Sequence, residues 1–217
     1  MGGPRTSAYI KEVADAETVG AELTAGATLA LLGVPGRQLA ERHAPLDDVL
    51  GRVTERWCDE LAGLPSGHAR AQRFEALLLG RLRESVSPPV VRHAIARFSD
   101  SHATVSVSEV VRESGYSHRR FISLFEESTG ITPKRFTRVV RFRKTLEALR
   151  RGEPHAERPE SLGSLAAELG YADQAHLTRE FREYTGITPA RYRQSQPGQL
   201  FHLPLREAPE FNFLQDA

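Results

Sequence analysis

One segment of this sequence occurs twice, and this duplication constrains the fold more than any other feature. Residues 121–136, FISLFEESTGITPKRF, and residues 177–192, LTREFREYTGITPARY, are identical at eight of sixteen positions at an offset of 56. The identities include an uninterrupted Thr-Gly-Ile-Thr-Pro. A Gly-Tyr pair at 115–116 matches one at 170–171, but at an offset of 55, so the second copy has one extra residue between pair and repeat. Similarity of this extent predicts a duplicated supersecondary unit.

Each copy predicts two helices joined by a tight turn. In the first copy, Ser106 and Glu109 have the capping-box spacing that opens a helix. Gly115 suits the left-handed end of that helix, and Ser117 suits the N-cap of the next one. The corresponding signals in the second copy are Ser161, Gly170 and Asp173. Such a pair is a helix-turn-helix, whose second helix can lie in a DNA major groove, and we predict units at 107–128 and 162–184.

Helical geometry separates a core face from an exposed face on the second helix of each unit. The core positions are Phe121, Leu124, Phe125 and Ser128 in the first unit, and Leu177, Phe181 and Tyr184 in the second. The opposite faces and their flanks supply the candidate DNA-binding residues: Arg119, Arg120, Ile122, Ser123, Gln174, Ala175, His176, Thr178, Arg179 and Arg182.

The chemistry of these candidates fits base recognition. Arginine can bridge the two acceptors of guanine, glutamine can bridge adenine, and isoleucine or alanine can touch the thymine methyl group. The first two turns of the helix reach deepest, so the favoured base readers are Arg119, Ser123, Gln174 and Arg179. For His176, a contact in the groove and an ordinary surface position are both consistent with the pattern.

A further helix is predicted after each unit, because Thr132-Pro133 and Thr188-Pro189 place an N-cap threonine before a proline at the first helical position. The helix at about 133–151 carries the basic residues Arg138, Arg141, Arg143 and Lys144. We expect some of them to contact phosphate and to add affinity that depends on salt but not on sequence.

Charge supports an anionic partner for this half of the chain. The whole chain has a net charge of +1, but residues 86–198 hold 18 basic and 13 acidic residues, a net of +5. The remainder has a net charge of −4. A basic segment joined to an acidic one indicates that one part meets an anionic polymer and the other does not.

The two copies resemble the AraC/XylS family of bacterial transcription regulators. The matching segments are GYSHRRFISLFEESTGITPKRF and LAAELGYADQAHLTREFREYTGITPARYR, and the resemblance covers about residues 90–194. It implies a domain of about seven helices, in which one long helix joins two helix-turn-helix units that enter successive major-groove segments and typically bend the DNA. It places at the DNA the positions matching Arg119, Ile122, Ser123, Gln174, Ala175, His176 and Arg179. Ser123 replaces an arginine often seen there, so we expect the first unit to read fewer bases.

The region before residue 86 predicts a small α+β regulatory or dimerisation region. Its predicted elements are strands at 8–13 and 18–23, a helix at 36–44, a longer one from 46 to a break at 64–67, and another at about 68–83. It resembles the region that follows a cupin-like sensor barrel in one AraC-type subgroup. Our hypothesis is that the first half of that barrel is missing, which would leave a β remnant plus helices. The fold class is therefore mainly α, with domains at 1–85 and 86–196 and an apolar tail at 197–217 that is expected to fold back.

Composition argues against several other classes. No apolar run approaches the ~18 residues of a membrane span, and the N-terminus lacks a charged start followed by an apolar segment, so neither a membrane helix nor a secretory signal is expected. Cys58 is a single cysteine, which excludes an internal disulfide framework and favours a reducing, cytoplasmic location. We expect it to pack beside Trp57, itself expected in the core. The eight histidines lack metal-ligand spacing, so no metal, cofactor or catalytic site is predicted.

The leading hypothesis is a sequence-specific transcription regulator without enzymatic activity. Its expected partners are double-stranded DNA, a small-molecule effector at the N-terminal region, a second copy in a homodimer and RNA polymerase, with no membrane. One alternative is a DNA-repair alkyltransferase fused to the same module, which needs an activated cysteine nucleophile that the surroundings of Cys58 fit poorly. Another is a non-specific architectural binder, which would hold scrambled DNA equally well.

Overall fold

The fold is mainly helical, as the sequence predicts. The structure is a computed structural model that describes residues 2–3, 18–83, 87–100, 105–151 and 161–195. Within these residues the helices are α1 Thr28–Leu32, α2 Gly36–Leu39, α3 Leu46–Leu50, α4 Val53–Ala62, α5 Gly67–Leu79, α6 Pro89–Ser99, α7 Val107–Ser114, α8 His118–Thr129, α9 Pro133–Arg151, α10 Leu162–Glu168, α11 Gln174–Thr185 and α12 Pro189–Ser195. The seven helices α6–α12 match the number expected for the DNA-binding domain.

Packing divides the chain into two compact units. The described residues up to Phe136 form the first unit, and those from Thr137 onward form the second. The first unit therefore combines the N-terminal helices α1–α5 with the first helix-turn-helix, α7–α8. The second contains the second helix-turn-helix, α10–α11. The domain boundary that we predict between residues 85 and 86 differs from this boundary in packing and stays a prediction.

The N-terminal region contains less β structure than expected. Residues 18–23 form no strand, and the strand predicted at 8–13 lies outside the described residues. Among the described residues, β pairing is limited to one isolated bridge between Gly2 and His43. An isolated strand is not stable alone, and residues 18–23 have no described partner strand. A β remnant is therefore not confirmed, and the cupin-like origin stays a prediction.

Two N-terminal helices, α1 and α3, end at glycines that were not used as helix-end signals in the sequence analysis. Residues 28–32 form α1, which ends at Gly33 with φ +77°. The helix expected to run from residue 46 is broken at Gly51, where φ is +71°, so it forms as α3 and α4. A positive φ favours glycine and interrupts a right-handed helix. The apolar side of α4 still packs against α5. Trp57 is buried, and its ring lies edge to face with that of Phe74, with 6.2 Å between the two ring centroids.

Cys58 does not pack beside Trp57, contrary to the expectation from sequence. Its thiol-bearing side chain is exposed on α4. Adjacent helical residues point about 100° apart, so a buried Trp57 directs the next residue away from the core.

The predicted duplication is confirmed down to single hydrogen bonds. The hydroxyl of Thr129 lies 2.8 Å from the carbonyl oxygen of Phe125 and accepts a hydrogen bond from the Ile131 N–H. The hydroxyl of Thr185 lies 2.8 Å from the carbonyl oxygen of Phe181 and accepts from Ile187 in the same way. In both copies the repeated Thr-Gly-Ile therefore closes the recognition helix and turns the chain into the next helix.

Each unit has its own core. In the first, Phe125 lies at the centre of an aromatic cluster, 5.8 Å from the ring of Phe98 and 5.4 Å from that of Phe136. In the second, the buried residues Leu146, Leu149, Leu165, Ala166, Tyr171, Leu177, Phe181, Ile187 and Tyr192 form one cluster. Both helix-turn-helix units thus rest on rigid hydrophobic support.

Gly115 provides a test of the turn in the first unit. Its φ is +69°, and a Cβ atom there would meet nothing within 4 Å, so only backbone strain opposes substitution. We expect Gly115→Val to reduce the free energy of unfolding by about 1–2 kcal/mol or more, because a β-branched residue resists this conformation. Urea unfolding measures the change. Gly115→Asn, which tolerates a positive φ, is the matched control, and equal losses for both variants would contradict the explanation.

Candidate nucleic-acid interface

The first unit is held together by the caps that the sequence predicts. Ser106 Oγ accepts the N–H of Glu109 at 3.2 Å, and the Glu109 carboxylate accepts the N–H of Ser106 at 2.8 Å. Hydrogen bonds from the Ser106 side chain and backbone lower the pKa of Glu109, which keeps this capping box charged. Ser117 Oγ caps α8 by accepting the N–H of Arg120 at 3.4 Å. The turn between α7 and α8 spans residues 115–117.

The second unit repeats this geometry with a longer turn. Ser161 Oγ accepts the N–H of Ser164 at 3.0 Å at the start of α10. The turn spans residues 169–173, and Gly170 has a φ of +74°. Asp173 Oδ1 then accepts the N–H of His176 at 2.6 Å and caps α11. The one-residue difference in the offset of the repeat is therefore located in this turn.

The ten candidate DNA-binding residues lie on the outward sides of α8 and α11. The exposed ones are Arg119, Arg120, Ser123, Gln174, Ala175, Arg179 and Arg182, and the half-buried ones are Ile122, His176 and Thr178. The opposite sides of both helices are closed by Phe121, Phe125, Leu177 and Phe181, each fully buried. The amphipathic assignment from sequence thus holds at these positions.

The arginines on these faces differ from the paired arginines of the domain, such as Arg97, Arg138 and Arg141. Within the described part of the chain, no carboxylate pairs with the guanidinium groups of Arg119, Arg120, Arg179 and Arg182. Their donors are directed to solvent, where they can meet the acceptors of bases or phosphates.

Two arginines of α9, Arg138 and Arg141, are paired inside the protein. Arg141 donates hydrogen bonds to both oxygens of the Glu180 carboxylate at 2.7–3.1 Å, and Arg138 donates to the same carboxylate at 2.8 Å. Arg138 also donates to Glu183 at 2.7 Å. The guanidinium of Arg141 lies over the ring of Tyr171, 4.3 Å from its centroid. We call the group of Arg138, Arg141 and Glu180 the carboxylate clamp.

The clamp gives two residues of α9 a structural role. Arg138 and Arg141 pair with Glu180, which is only 3% exposed, and so fix α11 to α9. Phosphate contact by some basic residues of α9 stays a prediction. Arg143 pairs with Glu147 on its own helix at 3.2 Å. Burial lowers the pKa of Arg138, but its hydrogen bonds to Glu180 and Glu183 outweigh burial and raise that pKa above the ordinary arginine value. Arg138 is therefore a permanent cation of the fold.

His176 is bound into the turn of the second unit. Its Nδ1 accepts the N–H of Ala172 at 3.3 Å, its ring packs edge to face on Tyr171, and its Nε2 lies 3.8 Å from the Glu180 carboxylate. These contacts hold the ring of His176 in the turn of the second unit, and its contact with DNA stays a prediction. Thr178 similarly donates to the carbonyl oxygen of Gln174 at 2.9 Å, within its own helix.

Two exposed residues near the proposed DNA-binding faces, Tyr116 and His118, were not among the candidate residues from sequence. Tyr116 and Tyr171 occupy the same position of the repeated Gly-Tyr pair, yet Tyr116 is 46% exposed and Tyr171 is 5% exposed. The extra turn residue of the second unit accompanies this difference. His118, the first residue of α8, is also exposed beside Arg119.

Tyr171 makes the stability of the second unit dependent on alkaline pH. Burial raises the pKa of Tyr171 to about 12, above the ordinary 10, although its hydrogen bond with Thr145 acts in the opposite direction. A raised pKa favours the neutral phenol, so its stabilisation is complete below pH 10 and is lost as the pH rises towards 12. We expect thermal unfolding to show a loss of stability in this window that is smaller in Tyr171→Phe. An unchanged pH profile in that variant would contradict the assignment; Tyr116→Phe is the control.

The structure contains two helix-turn-helix units, and this part of the chain is similar to known proteins. The profile of a family described as "Helix-turn-helix domain" matches residues 110–195. The match begins inside α7 and ends at the last residue of α12, so it covers the first unit from residue 110 onward and the whole of the second. This region of the chain is therefore similar to helix-turn-helix domains of known proteins.

Curated relatives and a solved structure are similar over the same region. The chain is 30% identical over 79 residues to an uncharacterized HTH-type transcriptional regulator of Haemophilus influenzae, covering 36% of this chain and 24% of that protein. It is 29% identical over 91 residues to the probable transcription factor PqrA of Proteus vulgaris, covering 42% of this chain and 70% of that protein. The C-terminal domain of AraT, a response regulator from Geobacillus stearothermophilus, is 19% identical with a TM-score of 0.45, over 54% of this chain and 94% of that domain. The chain spans about a quarter of the length of the first relative.

No cluster of three or more histidine, cysteine or carboxylate side chains in the described residues could hold a metal ion. No described helix is both long enough and apolar enough to cross a membrane.

Proposed function

We propose that this chain is a sequence-specific, DNA-binding transcription regulator that inserts α8 and α11 into adjacent major-groove segments. The observation that supports this most directly is the duplicated helix-turn-helix, in which both second helices present arginines that no described carboxylate pairs. Arginine at such a position provides the bidentate contact to guanine that is the commonest specific contact in DNA complexes.

The candidate residues divide into expected base readers and supporting residues. Arg119 and Arg179, in the first two turns of their helices, are the expected guanine readers, and Gln174 is the expected adenine reader. Arg120 lies at the flank of the exposed face of α8, and Arg182 lies on the exposed face of α11 beyond its first two turns, so phosphate contacts are expected of both. Ser123 has one short hydroxyl where the second unit has Arg179, so the first unit is expected to read fewer bases than the second.

The wider role follows from this binding and from the relatives. The Haemophilus influenzae and Proteus vulgaris proteins are named as a transcriptional regulator and a probable transcription factor, which supports regulation of transcription without chemistry on the DNA. Such a protein acts in the cytoplasm, where bacterial DNA lies. An effector at the N-terminal region, a homodimer and a contact with RNA polymerase remain proposals.

Selection of bound sequences from randomised duplex DNA tests the proposed function. The salt concentration must be fixed and stated, because affinity for DNA falls steeply with salt. We expect enrichment of a site that binds at least about a thousandfold more tightly than scrambled DNA. Equal affinity for selected and scrambled sequences would instead identify a non-specific architectural binder.

A further inference from the structure

The N-terminal helices α1 and α2 pack on α8, the recognition helix of the first helix-turn-helix. All three helices belong to the first compact unit. Leu32 at the end of α1 and Leu39 at the end of α2 are both buried. The N-terminal region is thus in direct contact with an element proposed to read bases.

The closest approach is at Gly36, the first residue of α2. Gly36 is buried, and a Cβ atom there would lie 2.7 Å from the carbonyl oxygen of Ser128 and 2.8 Å from the backbone nitrogen of Gly130. The carbonyl carbon of Thr129 would be 2.7 Å away. These are backbone atoms at the C-terminal end of α8, so they cannot move aside as a flexible side chain would. The glycine therefore permits an approach that any other residue would prevent.

Two ion pairs flank this contact. Arg37 lies 3.7 Å from Glu127 on α8, and Glu41 lies 3.9 Å from Arg135 at the start of α9. Further along, the carbonyl oxygen of Ala30 accepts the backbone N–H of Arg83 at 3.0 Å, which ties α1 to the segment after α5. Residues 28–41 are therefore attached to the end of α8 on one side and to the N-terminal helices on the other.

We propose that residues 28–41 position the first recognition helix, so that base reading by α8 depends on how the N-terminal region is docked. The inference rests on the proposed function and adds a route of regulation to it. Because α8 is one rigid helix of twelve residues, a displacement at residues 128–130 is transmitted to Arg119 and Ser123. Base contacts tolerate displacements of only about 0.5 Å. A change in the N-terminal region would therefore alter reading by α8 without altering reading by α11.

The test compares the intact chain carrying Gly36→Ala with the intact chain carrying Gly67→Ala. Both glycines are the first residue of a helix, but a Cβ at Gly67 meets nothing within 4 Å. Fluorescence anisotropy measures binding to the selected site and to versions with base changes in either half. We expect Gly36→Ala to lower discrimination in the half read by α8 at least about fivefold, with discrimination in the other half unchanged. Gly67→Ala should match the wild type.

A charge exchange keeps the test informative if Gly36→Ala fails to fold. Arg37→Glu changes a side chain that is 70% exposed and should lower first-half discrimination about twofold, since exposed pairs are weak. Adding Glu127→Arg restores the pair and should restore the discrimination. Unchanged discrimination in Gly36→Ala and Arg37→Glu, or equal losses in both halves, would overturn the inference. A wild-type chain without sequence preference would overturn the proposed function itself.

Discussion

Replacing Glu180 with alanine is expected to lower the free energy of opening of the second unit by about 3 kcal/mol. Removing one member of a buried ion pair typically lowers stability by about 3–5 kcal/mol, because the remaining charge is left buried without a partner. Here the lower end applies, since the side chains of Arg138 and Arg141 are 30% and 23% exposed and can recover some hydration. Amide hydrogen exchange in α11 measures the loss, with α8 as an internal reference.

Glu183→Ala is the matched control for this prediction. Glu183 pairs with the same Arg138, but its side chain is 57% exposed, so its removal should cost less than about 1 kcal/mol. A chain in which Arg138, Arg141 and Glu180 all become apolar residues of similar size should recover most of the loss, because no buried charge remains. Equal effects of Glu180→Ala and Glu183→Ala would show that the clamp does not hold α11.

Replacing Arg179 with alanine is expected to weaken binding to the selected site by about 1–3 kcal/mol, which is roughly 5- to 150-fold. Arg179 is exposed on α11 and lies in its first two turns, where a recognition helix reaches base edges. The loss should be accompanied by relaxed discrimination at one base pair. Titration of duplexes with every base at each position measures both effects.

The control for Arg179 removes the same charge far from the proposed interface. Arg56 is exposed on α4, so Arg56→Ala should leave both affinity and discrimination unchanged. A uniform loss across all sequences in Arg179→Ala would move Arg179 from base reading to phosphate contact, and the salt dependence of binding would then decrease by about one charge.

The duplicated domain was largely predictable because its signals are local. Capping residues such as Ser106, Ser117 and Asp173 satisfy the first backbone N–H groups of a helix, and Gly115 and Gly170 adopt the positive φ that ends one. These interactions involve residues a few positions apart, so a single sequence reveals them. The apolar spacing then assigns the buried face of each recognition helix.

The carboxylate clamp was missed because its partners are distant in sequence. Glu180 lies 42 residues from Arg138, and a charged residue in an amphipathic helix is normally assigned to the exposed face. A signal was nevertheless present, because the repeat aligns Glu180 with Leu124, which is half-buried. A carboxylate at an apolar position of a repeat indicates a buried cationic partner, and the arginines of α9, for which phosphate contacts were expected, were the available cations.

The N-terminal region was less predictable because its elements depend on packing. Alternating apolar residues at 18–23 indicate a strand, but a strand forms only when a partner supplies its hydrogen bonds. The close approach at Gly36 depends on backbone atoms of α8 that lie about ninety residues later in the chain. No local pattern encodes such a contact, although a glycine at the start of a helix is compatible with it.

The central claim is that two recognition helices read two neighbouring segments of one duplex. Its most direct test is to map base preferences across the selected site for the wild type, Arg119→Ala and Arg179→Ala. We predict that the two variants lose discrimination at different positions, about one helical turn or 10 base pairs apart. Loss at the same position, or full discrimination retained in both variants, would contradict the claim.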